Sequence, residues 1–140
     1  MTAPPPALLD TSTLSDVMRG QNSSVEAVPA AYLAQHGQFT LSILTRYEIL
    51  RGLYARGASQ QVQRFEAQCQ RSRILPLSDE IIVRAATLYG ELHRRGQLIS
   101  DADLLIAATA LTHGLQLVTE NRSHFERIPG LDVTSWRSSL

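Results

Sequence analysis

Short apolar segments alternate along the chain with longer segments whose apolar residues recur at helical spacing. This alternation restricts the possible folds more than any other feature of the sequence. Strands that alternate with helices form parallel sheets, because each helix returns the chain to the same edge of the sheet and covers one face. The sequence therefore predicts an α/β fold, a three-layer α/β/α sandwich with a mainly parallel central sheet. Pro76 favours an edge position for its strand, because proline cannot donate a backbone hydrogen bond. The predicted strands are Ala7–Leu9, Phe39–Ile43, Ile74–Leu77, Leu115–Thr119 and Leu131–Trp136.

Capping residues set the expected helix boundaries. Thr13 and Asp16 are spaced as a capping box, and Ser23 and Glu26 repeat that spacing before a second helix. Pro29 is expected in or near the first turn of this second helix, where a missing amide proton is tolerated. The predicted helices begin near Thr13, extend from Ser23 to Leu33, begin at Thr45, and cover residues 59–71, 78–95, 101–113 and 122–125.

The length and composition indicate one ordinary domain. The chain has 140 residues, of which 44% are hydrophobic, enough to bury a core without disulfides or structural metals. We expect a loose proline-rich tail over residues 1–6 and a single domain over 7–140. Cys69 is the only cysteine, so there is no intrachain disulfide and no zinc or thiol motif. No segment is typical of a signal peptide or membrane span, so a cytoplasmic protein is expected.

The charge is balanced overall but uneven along the sequence. All 13 basic residues are arginine and 13 residues are acidic, for a formal net charge of zero. Residues 51–95 hold eight arginines and four acids, whereas residues 101–140 hold three arginines and five acids. This pattern suits either a basic flank that binds phosphates beside an acidic metal site, or ordinary solvated helix faces.

Four polar residues are predicted to meet at one edge of the sheet. Parallel sheets bind ligands outside the carboxyl ends of their strands, where Asp10, Glu48, Asp103 and Asn121 are all expected. Three carboxylates without a nearby lysine would repel one another unless a cation lies among them. Mg²⁺ suits such a site, because it takes oxygen ligands and keeps several waters, one of which can be activated.

Each of these residues also has a purely structural interpretation. Glu48 can complete a capping box with Thr45, and Asp10 can cap the helix that follows it. Asp103, like Asp101, can favour a helix N-terminus through the helix dipole. Asn121 can be an ordinary turn residue.

Several segments resemble one known family, the PIN-domain nucleases, and within it the VapC-like toxins of toxin–antitoxin pairs. The part around Asp103 is the most specific, and together the segments span nearly the whole chain. They are Leu8 to Gly20 (LLDTSTLSDVMRG), Ser42 to Leu53 (SILTRYEILRGL), Ile99 to Leu131 (ISDADLLIAATALTHGLQLVTENRSHFERIPGL), and the last strand with Trp136.

The resemblance implies a set of site residues. Asp10, Glu48 and Asp103 fall on the acidic metal site of the family, where they would bind Mg²⁺ or Mn²⁺. Asn121 falls where many PIN domains carry a fourth acid, so a second metal ion is in doubt. The residues expected to assist from nearby are Ser12, Asp101 and Thr119.

The resemblance also implies an activity and partners. A metal-activated water would hydrolyse RNA phosphodiester bonds, and a VapB-like antitoxin would place a basic or polar segment in the acidic site. Dimers, or larger assemblies with the antitoxin, are expected. Arg46 and Arg51 lie one to two helical turns from the site and are the candidate phosphate contacts.

Three alternatives compete with a ribonuclease. A phosphoacceptor receiver domain also gathers acids around Mg²⁺, but that chemistry normally uses a lysine, and this chain has none. A PIN-like domain that binds RNA or protein without cutting is suggested by Asn121, and cleavage of DNA or flap structures is a third possibility. His93 and His124 show no metal-ligand spacing, and Phe125 and Trp136 are predicted core or lid residues.

Overall fold

Five parallel strands form the central sheet of the protein. The computed structural model describes residues 4–20 and 23–137, with the side chains of residues 23–26 left out of the description. The strand order is β3-β2-β1-β4-β5, and every neighbouring pair is parallel. The strands are β1 (Ala7–Leu9), β2 (Thr40–Ser42), β3 (Arg73–Leu75), β4 (Gln116–Val118) and β5 (Val133–Thr134).

Helices occupy most of the connections between these strands. The predicted α/β fold with its mainly parallel sheet is confirmed, and the strand that precedes Pro76 does lie at an edge. No helix in the described ranges is long and apolar enough to cross a membrane. The helices are α1 (Thr11–Arg19), α2 (Ser23–His36), α3 (Ile43–Ala55), α4 (Ser59–Gln70), α5 (Asp79–Arg94), α6 (Asp101–His113) and α7 (Arg122–Phe125).

Two apolar clusters lie on the two faces of the sheet and create the three layers. Successive side chains of a strand point to opposite faces. In β1, Leu8 therefore packs with α5 and α6, whereas Ala7 and Leu9 pack with α1, α2 and α4. The side chains of β1 are fully buried, which fits a strand at the centre of a sheet covered on both faces.

Two predicted helix starts were wrong, because the helices begin directly after the strands. The N-cap of α1 is Asp10, whose side chain accepts from the backbone N of Thr13, so Thr13 does not form a capping box with Asp16. Likewise the N-cap of α3 is Ser42, whose hydroxyl accepts from Leu44 N at 3.0 Å. The spacing indicated Thr13 and Thr45 as caps but could not show where each strand ended. The interpretation of Asp10 as the cap of the helix that follows it is confirmed.

The α5 cap and the bounds of α6 agree with the sequence, but other boundaries differ. The helix α2 extends past the predicted Leu33 to His36, Ile43 belongs to α3 rather than to β2, and the other strands after β1 also end earlier than predicted. Ser78 caps α5, and α6 covers the predicted residues 101–113 before it ends at Gly114, which has the left-handed φ of 64° that favours glycine. Pro29 lies inside α2 rather than in its first turn. The predicted cap by Ser23 and Glu26 lies outside the described side chains.

The N-terminal segment contacts the rest of the fold. The carbonyl oxygen of Pro4 accepts from His36 Nε2 at 2.8 Å, and that of Pro6 accepts from the backbone N of Gln116 at 3.2 Å. Residues 1–3 of the predicted tail lie outside the described ranges. The single domain over 7–140 stays a prediction.

Candidate active site

Asp10 lies at the carboxyl end of the central strand and is only 4% exposed. Its Oδ1 accepts from Ser12 Oγ at 2.8 Å and from Thr13 N at 3.0 Å, and its Oδ2 accepts from the hydroxyl of Thr119. Burial raises the pKa of Asp10, and the hydrogen bonds from Thr119, Thr13 and Ser12 oppose that rise. The fold thus orients this carboxylate firmly in a position that disfavours its charge.

Among the described residues, no cationic side chain pairs with Asp10. None of the ion pairs among the described residues includes it, and all three of its hydrogen-bond donors are neutral. A buried carboxylate without a positive partner is costly, because removal from water disfavours the ionised form. A cation at this position would lower that cost.

Glu48 reaches the same edge of the sheet from α3. Its side chain is 20% exposed, and its Oε1 accepts from Thr11 Oγ1 at 2.6 Å. Its Oε2 lies 3.9 Å from the guanidinium of Arg51, which is itself 5.3 Å from the ring centre of Tyr47. Since α3 begins at Ile43, Glu48 is well inside the helix and does not form a capping box with Thr45.

Asp103 lies in the first turn of α6, where the hydroxyl of Ser100 accepts from its backbone N at 3.1 Å. Its carboxylate is 23% exposed, and Oδ2 lies 3.5 Å from Nδ1 of His124. Asp101 is exposed at the start of the same helix. Both acids lie in the first turn of α6, where a negative charge interacts favourably with the helix dipole.

The loop after β4 closes around Asp10. Ser12 Oγ accepts from the backbone N of Glu120 at 3.1 Å, and Thr119 Oγ1 accepts from the backbone N of Asn121 at 2.9 Å. The structure thus places Ser12 and Thr119 against Asp10. Asn121 is exposed and makes no side-chain cap to α7.

The neighbouring acid Glu120 does not take the place of a fourth carboxylate. Both of its carboxylate oxygens accept from the hydroxyl of Ser135, at 2.7 and 2.9 Å, and Arg137 lies 3.8 Å away. Glu120 is therefore held toward the end of β5.

Two neighbours of the site were missed by sequence reasoning. Thr11 binds Glu48 and His124 approaches Asp103, although neither residue was selected from the sequence. The position of Thr11 directly after Asp10 was an available signal. The contact of His124 joins α7 to α6, and residue spacing carries no signal for such a contact.

The two candidate phosphate contacts differ in their surroundings. The guanidinium of Arg46 forms a two-pronged pair with Glu66, one arm of which is 3.2 Å, and this pair raises the pKa of Arg46 and lowers that of Glu66. Arg51 is 60% exposed and lies beside Glu48. The structure therefore leaves Arg51 more available to a ligand than Arg46.

The donors fit a hard cation in chemistry, but their present orientation does not form a cage. In the part of the chain that the structure describes, no three Asp, Glu, His or Cys side chains are placed to hold one metal ion together. Thr11 occupies Oε1 of Glu48 and leaves Oε2 for a cation, whereas Oδ2 of Asp103 faces His124. The oxygen-only donors and the uncompensated charge of Asp10 are what Mg²⁺ or Mn²⁺ would require.

Comparison with known proteins gives a consistent assignment. The chain is 34% identical over 121 residues to "Ribonuclease VapC1" of Methanocaldococcus jannaschii, covering 86% of this chain and 79% of that protein. It is 25% identical over 130 residues to "tRNA(fMet)-specific endonuclease VapC" of Salmonella typhimurium, covering 92% and 96% of the two chains.

The fold is similar to that of solved structures as well. The structure of VapBC2 from Rickettsia felis bound to a DNA fragment from its promoter contains a chain that matches with a TM-score of 0.83 and 25% identity. That match covers 94% of this chain and 98% of the other. The family model of the PIN domain matches residues 7–131, which include Asp10, Glu48 and Asp103. The chain therefore belongs to the PIN domain family.

Proposed function

We propose that the protein is a metal-dependent endoribonuclease and the toxin of a VapBC-type toxin–antitoxin pair. The observation that carries this proposal is the buried, uncompensated carboxylate of Asp10 at the carboxyl end of the central strand. Glu48 and Asp103 are on helices that open onto the same edge. The relatives named as ribonucleases and as a tRNA endonuclease support RNA as the substrate.

Asp10, Glu48 and Asp103 are the residues that would hold Mg²⁺ or Mn²⁺. When bound, the ion would activate a water molecule and stabilise the leaving oxygen of a phosphodiester. Ser12, Thr119 and the backbone of Thr13 fix the orientation of Asp10. Two hydrogen bonds occupy Oδ1, but Oδ2 accepts only from Thr119 among the described residues and so keeps a lone pair for a cation.

Side chains around the acids would bind the RNA. The exposed guanidinium of Arg51 can reach a phosphate close to Glu48, because it stands beside that carboxylate. The exposed amide of Asn121 can donate to RNA but adds no charge for a second metal ion. Arg46 would first have to leave Glu66.

A cleft between α1, α3 and α4 offers a surface for the antitoxin. It has a volume of about 160 Å³ and is lined by apolar side chains, including Leu53 and Phe65, with three arginines at its rim. We propose that an antitoxin segment with apolar and acidic side chains lies here, while a basic or polar part enters the acidic site. The arginines of the rim are Arg19, Arg56 and Arg64.

The assembly and location follow from the same proposal. The similar structure from Rickettsia felis is a VapBC2 complex, which supports a hetero-oligomer with a VapB-like antitoxin. A homodimer of the toxin within it remains part of the proposal. Cellular RNA as substrate would place the protein in the cytoplasm.

A second function is favoured by two specific observations. The resemblance to PIN domains puts Asn121 where many of them carry a fourth acid, and no three potential ligands are arranged together in the described ranges. A PIN-like module that binds RNA or protein without cutting would account for both.

Cleavage of end-labelled RNA separates these two functions. Wild type and Asp103→Asn would be purified identically and assayed with Mg²⁺, with Mn²⁺ and with a chelator. Cutting that requires metal and disappears in the variant supports the enzyme and its site together. Equal cutting by both proteins would contradict the site, and metal binding without any cutting would favour the binding module.

A further inference from the structure

We propose that Thr11 is a positioning residue that holds Glu48 in place for the metal site, and that the buried hydroxyl of Thr45 orients Thr11. This inference deepens the proposed function and rests on it. Thr11 is the first residue of α1 and directly follows Asp10, so it joins the two carboxylates through a short segment of backbone.

The hydrogen-bond geometry defines the direction of this contact. Thr11 Oγ1 lies 2.6 Å from Glu48 Oε1 and 3.3 Å from Thr45 Oγ1. The Thr11 hydroxyl has one proton, and the closer, ionised carboxylate is the better acceptor for it. The Thr45 hydroxyl must then donate to Thr11, which gives a chain of hydrogen bonds from Thr45 through Thr11 to Glu48.

The burial of Thr45 makes this chain rigid. Thr45 is fully buried and lies one turn before Glu48 on α3, so its hydroxyl has a fixed position relative to that helix. Thr11 is fixed by the first turn of α1, which Asp10 caps. The contact therefore connects two rigid helix starts, and the flexible Glu48 side chain is held between them.

Arg51 competes for the same carboxylate. Its guanidinium lies 3.9 Å from Glu48 Oε2, too far for a hydrogen bond, and it is largely exposed. Without the Thr11 hydroxyl, the Glu48 side chain is free to turn toward Arg51 and solvent. Loss of a partner that orients a metal ligand typically weakens metal binding by about 10-fold to 100-fold.

Titration of the wild-type protein and its Thr11 variants with Mn²⁺ tests this role. Thr11→Val keeps the shape but removes the hydroxyl, and Thr11→Ser keeps the hydroxyl but removes the methyl. We expect Thr11→Val to weaken Mn²⁺ binding by about 10-fold or more and Thr11→Ser to restore most of it. RNA cleavage should show a lower kcat in Thr11→Val with a nearly unchanged KM, because Thr11 would not bind the RNA.

Two controls separate positioning from general structural damage. Thr87→Val removes a hydroxyl whose one hydrogen bond within the described residues goes to the Val83 carbonyl of its own helix, at 2.9 Å, and should leave Mn²⁺ binding unchanged. In a Glu48→Ala background, Thr11→Val should cause no further loss of Mn²⁺ affinity, because the group that it holds is gone.

The possible results lead to different conclusions. Equal Mn²⁺ affinity for wild type and Thr11→Val would overturn the role of Thr11, as would a Thr11→Ser variant as weak as Thr11→Val. A further loss on adding Thr11→Val to Glu48→Ala would overturn it too. If wild type neither bound Mn²⁺ nor cut RNA, the proposed function would fail and the role of Thr11 with it.

Discussion

Asp10 both caps a helix and carries a buried negative charge, and substitution by asparagine separates these two properties. Its carboxylate caps α1 through the backbone N of Thr13, and it places a buried negative charge among neutral donors. Asparagine can keep the cap, because asparagine and aspartate are both strong N-cap residues. The Asn amide would face the hydroxyl of Thr119, which can act as its acceptor.

We therefore expect Asp10→Asn to preserve or raise stability in the absence of metal, by up to about 1 kcal/mol, because it removes a poorly solvated charge. Mg²⁺ should raise the Tm of wild type but have little effect on Tm in Asp10→Asn, since only a protein that binds the ion is stabilised by it. Urea unfolding with chelator and thermal melts with Mg²⁺ measure the two effects. Equal Mg²⁺ shifts in both proteins would place the ion elsewhere.

Asp16 shows the opposite electrostatic situation from Asp10. Its carboxylate accepts from Arg137 at 2.7 and 2.8 Å and from Arg19 at 2.6 Å. The hydrogen bonds from Arg137, followed by the charges of Arg137 and Arg19, lower the pKa of Asp16 below its ordinary 3.8. The contact with Arg137 connects α1 to the segment that follows β5.

Asp16→Asn should lower the free energy of unfolding by about 1 kcal/mol at pH 7, a modest value because both arginines are half exposed. A lowered pKa in the folded state stabilises the fold above the unfolded-state pKa, and that gain is lost as pH falls through the folded-state pKa. The difference between wild type and variant should therefore shrink below pH 4. Urea unfolding at pH 7 and pH 3 tests this, and an equal difference at both values would exclude the linkage.

At the scale of elements, capping chemistry predicted helices better than it predicted their first residues. The cap of α5 at Ser78 and the end of α6 at Gly114 were predicted correctly, because one residue at each position has a clear capping role. The starts of α1 and α3 were misplaced, because each helix is capped at once where a strand ends. Asp10 directly follows β1, and Ser42 is the last residue of β2. A short strand without a linker leaves too little sequence to separate the two roles.

Substitutions on α5 test whether its inner face packs in the apolar cluster that it shares with α6. Leu92 is fully buried in the cluster shared with α6, whereas Ile82 on the same helix is 45% exposed. Leu92→Ala should reduce the free energy of unfolding by about 2–5 kcal/mol, through lost burial and the cavity that remains. Ile82→Ala should cost less than about 1 kcal/mol, because little burial is lost there.

Urea unfolding monitored by circular dichroism measures both variants. Similar losses in the two would mean that the outer face of α5 is covered in solution. In that case the oligomeric state of the wild type would be the next quantity to determine.

At the scale of the whole molecule, the sheet order explains how distant residues share one edge. β1 lies between β2 and β4, so the segments after these strands open side by side. The alternation of strands and helices predicts that Asp10, Glu48, Asp103 and Asn121 meet at this edge. This stays a prediction, because in the described ranges no three Asp, Glu, His or Cys side chains are placed to hold one metal ion. The alternation was not enough to predict that Glu48 turns to Thr11 and Asp103 to His124, because rotamers depend on contacts between elements distant in sequence.

The net charge of zero limits how the whole molecule can attract RNA. Affinity for RNA must therefore come from a few local contacts. The salt dependence of binding gives their number, because each phosphate contact to a single strand adds about 0.7 to the magnitude of the slope of log K against log salt concentration. Binding to single-stranded RNA would be measured in the Asp103→Asn background, so that the substrate stays intact.

In that background, Arg51→Gln should reduce the magnitude of the salt slope by about 0.7, because it removes one exposed cation beside Glu48. Arg71 is the matched control, because it follows α4 just before β3 and so lies at the opposite edge of the parallel sheet. Arg71→Gln should leave the slope unchanged. Equal slopes for the Arg51 variant and its parent would mean that RNA approaches the acidic edge without Arg51, and a change with Arg71→Gln would place the RNA on the opposite edge.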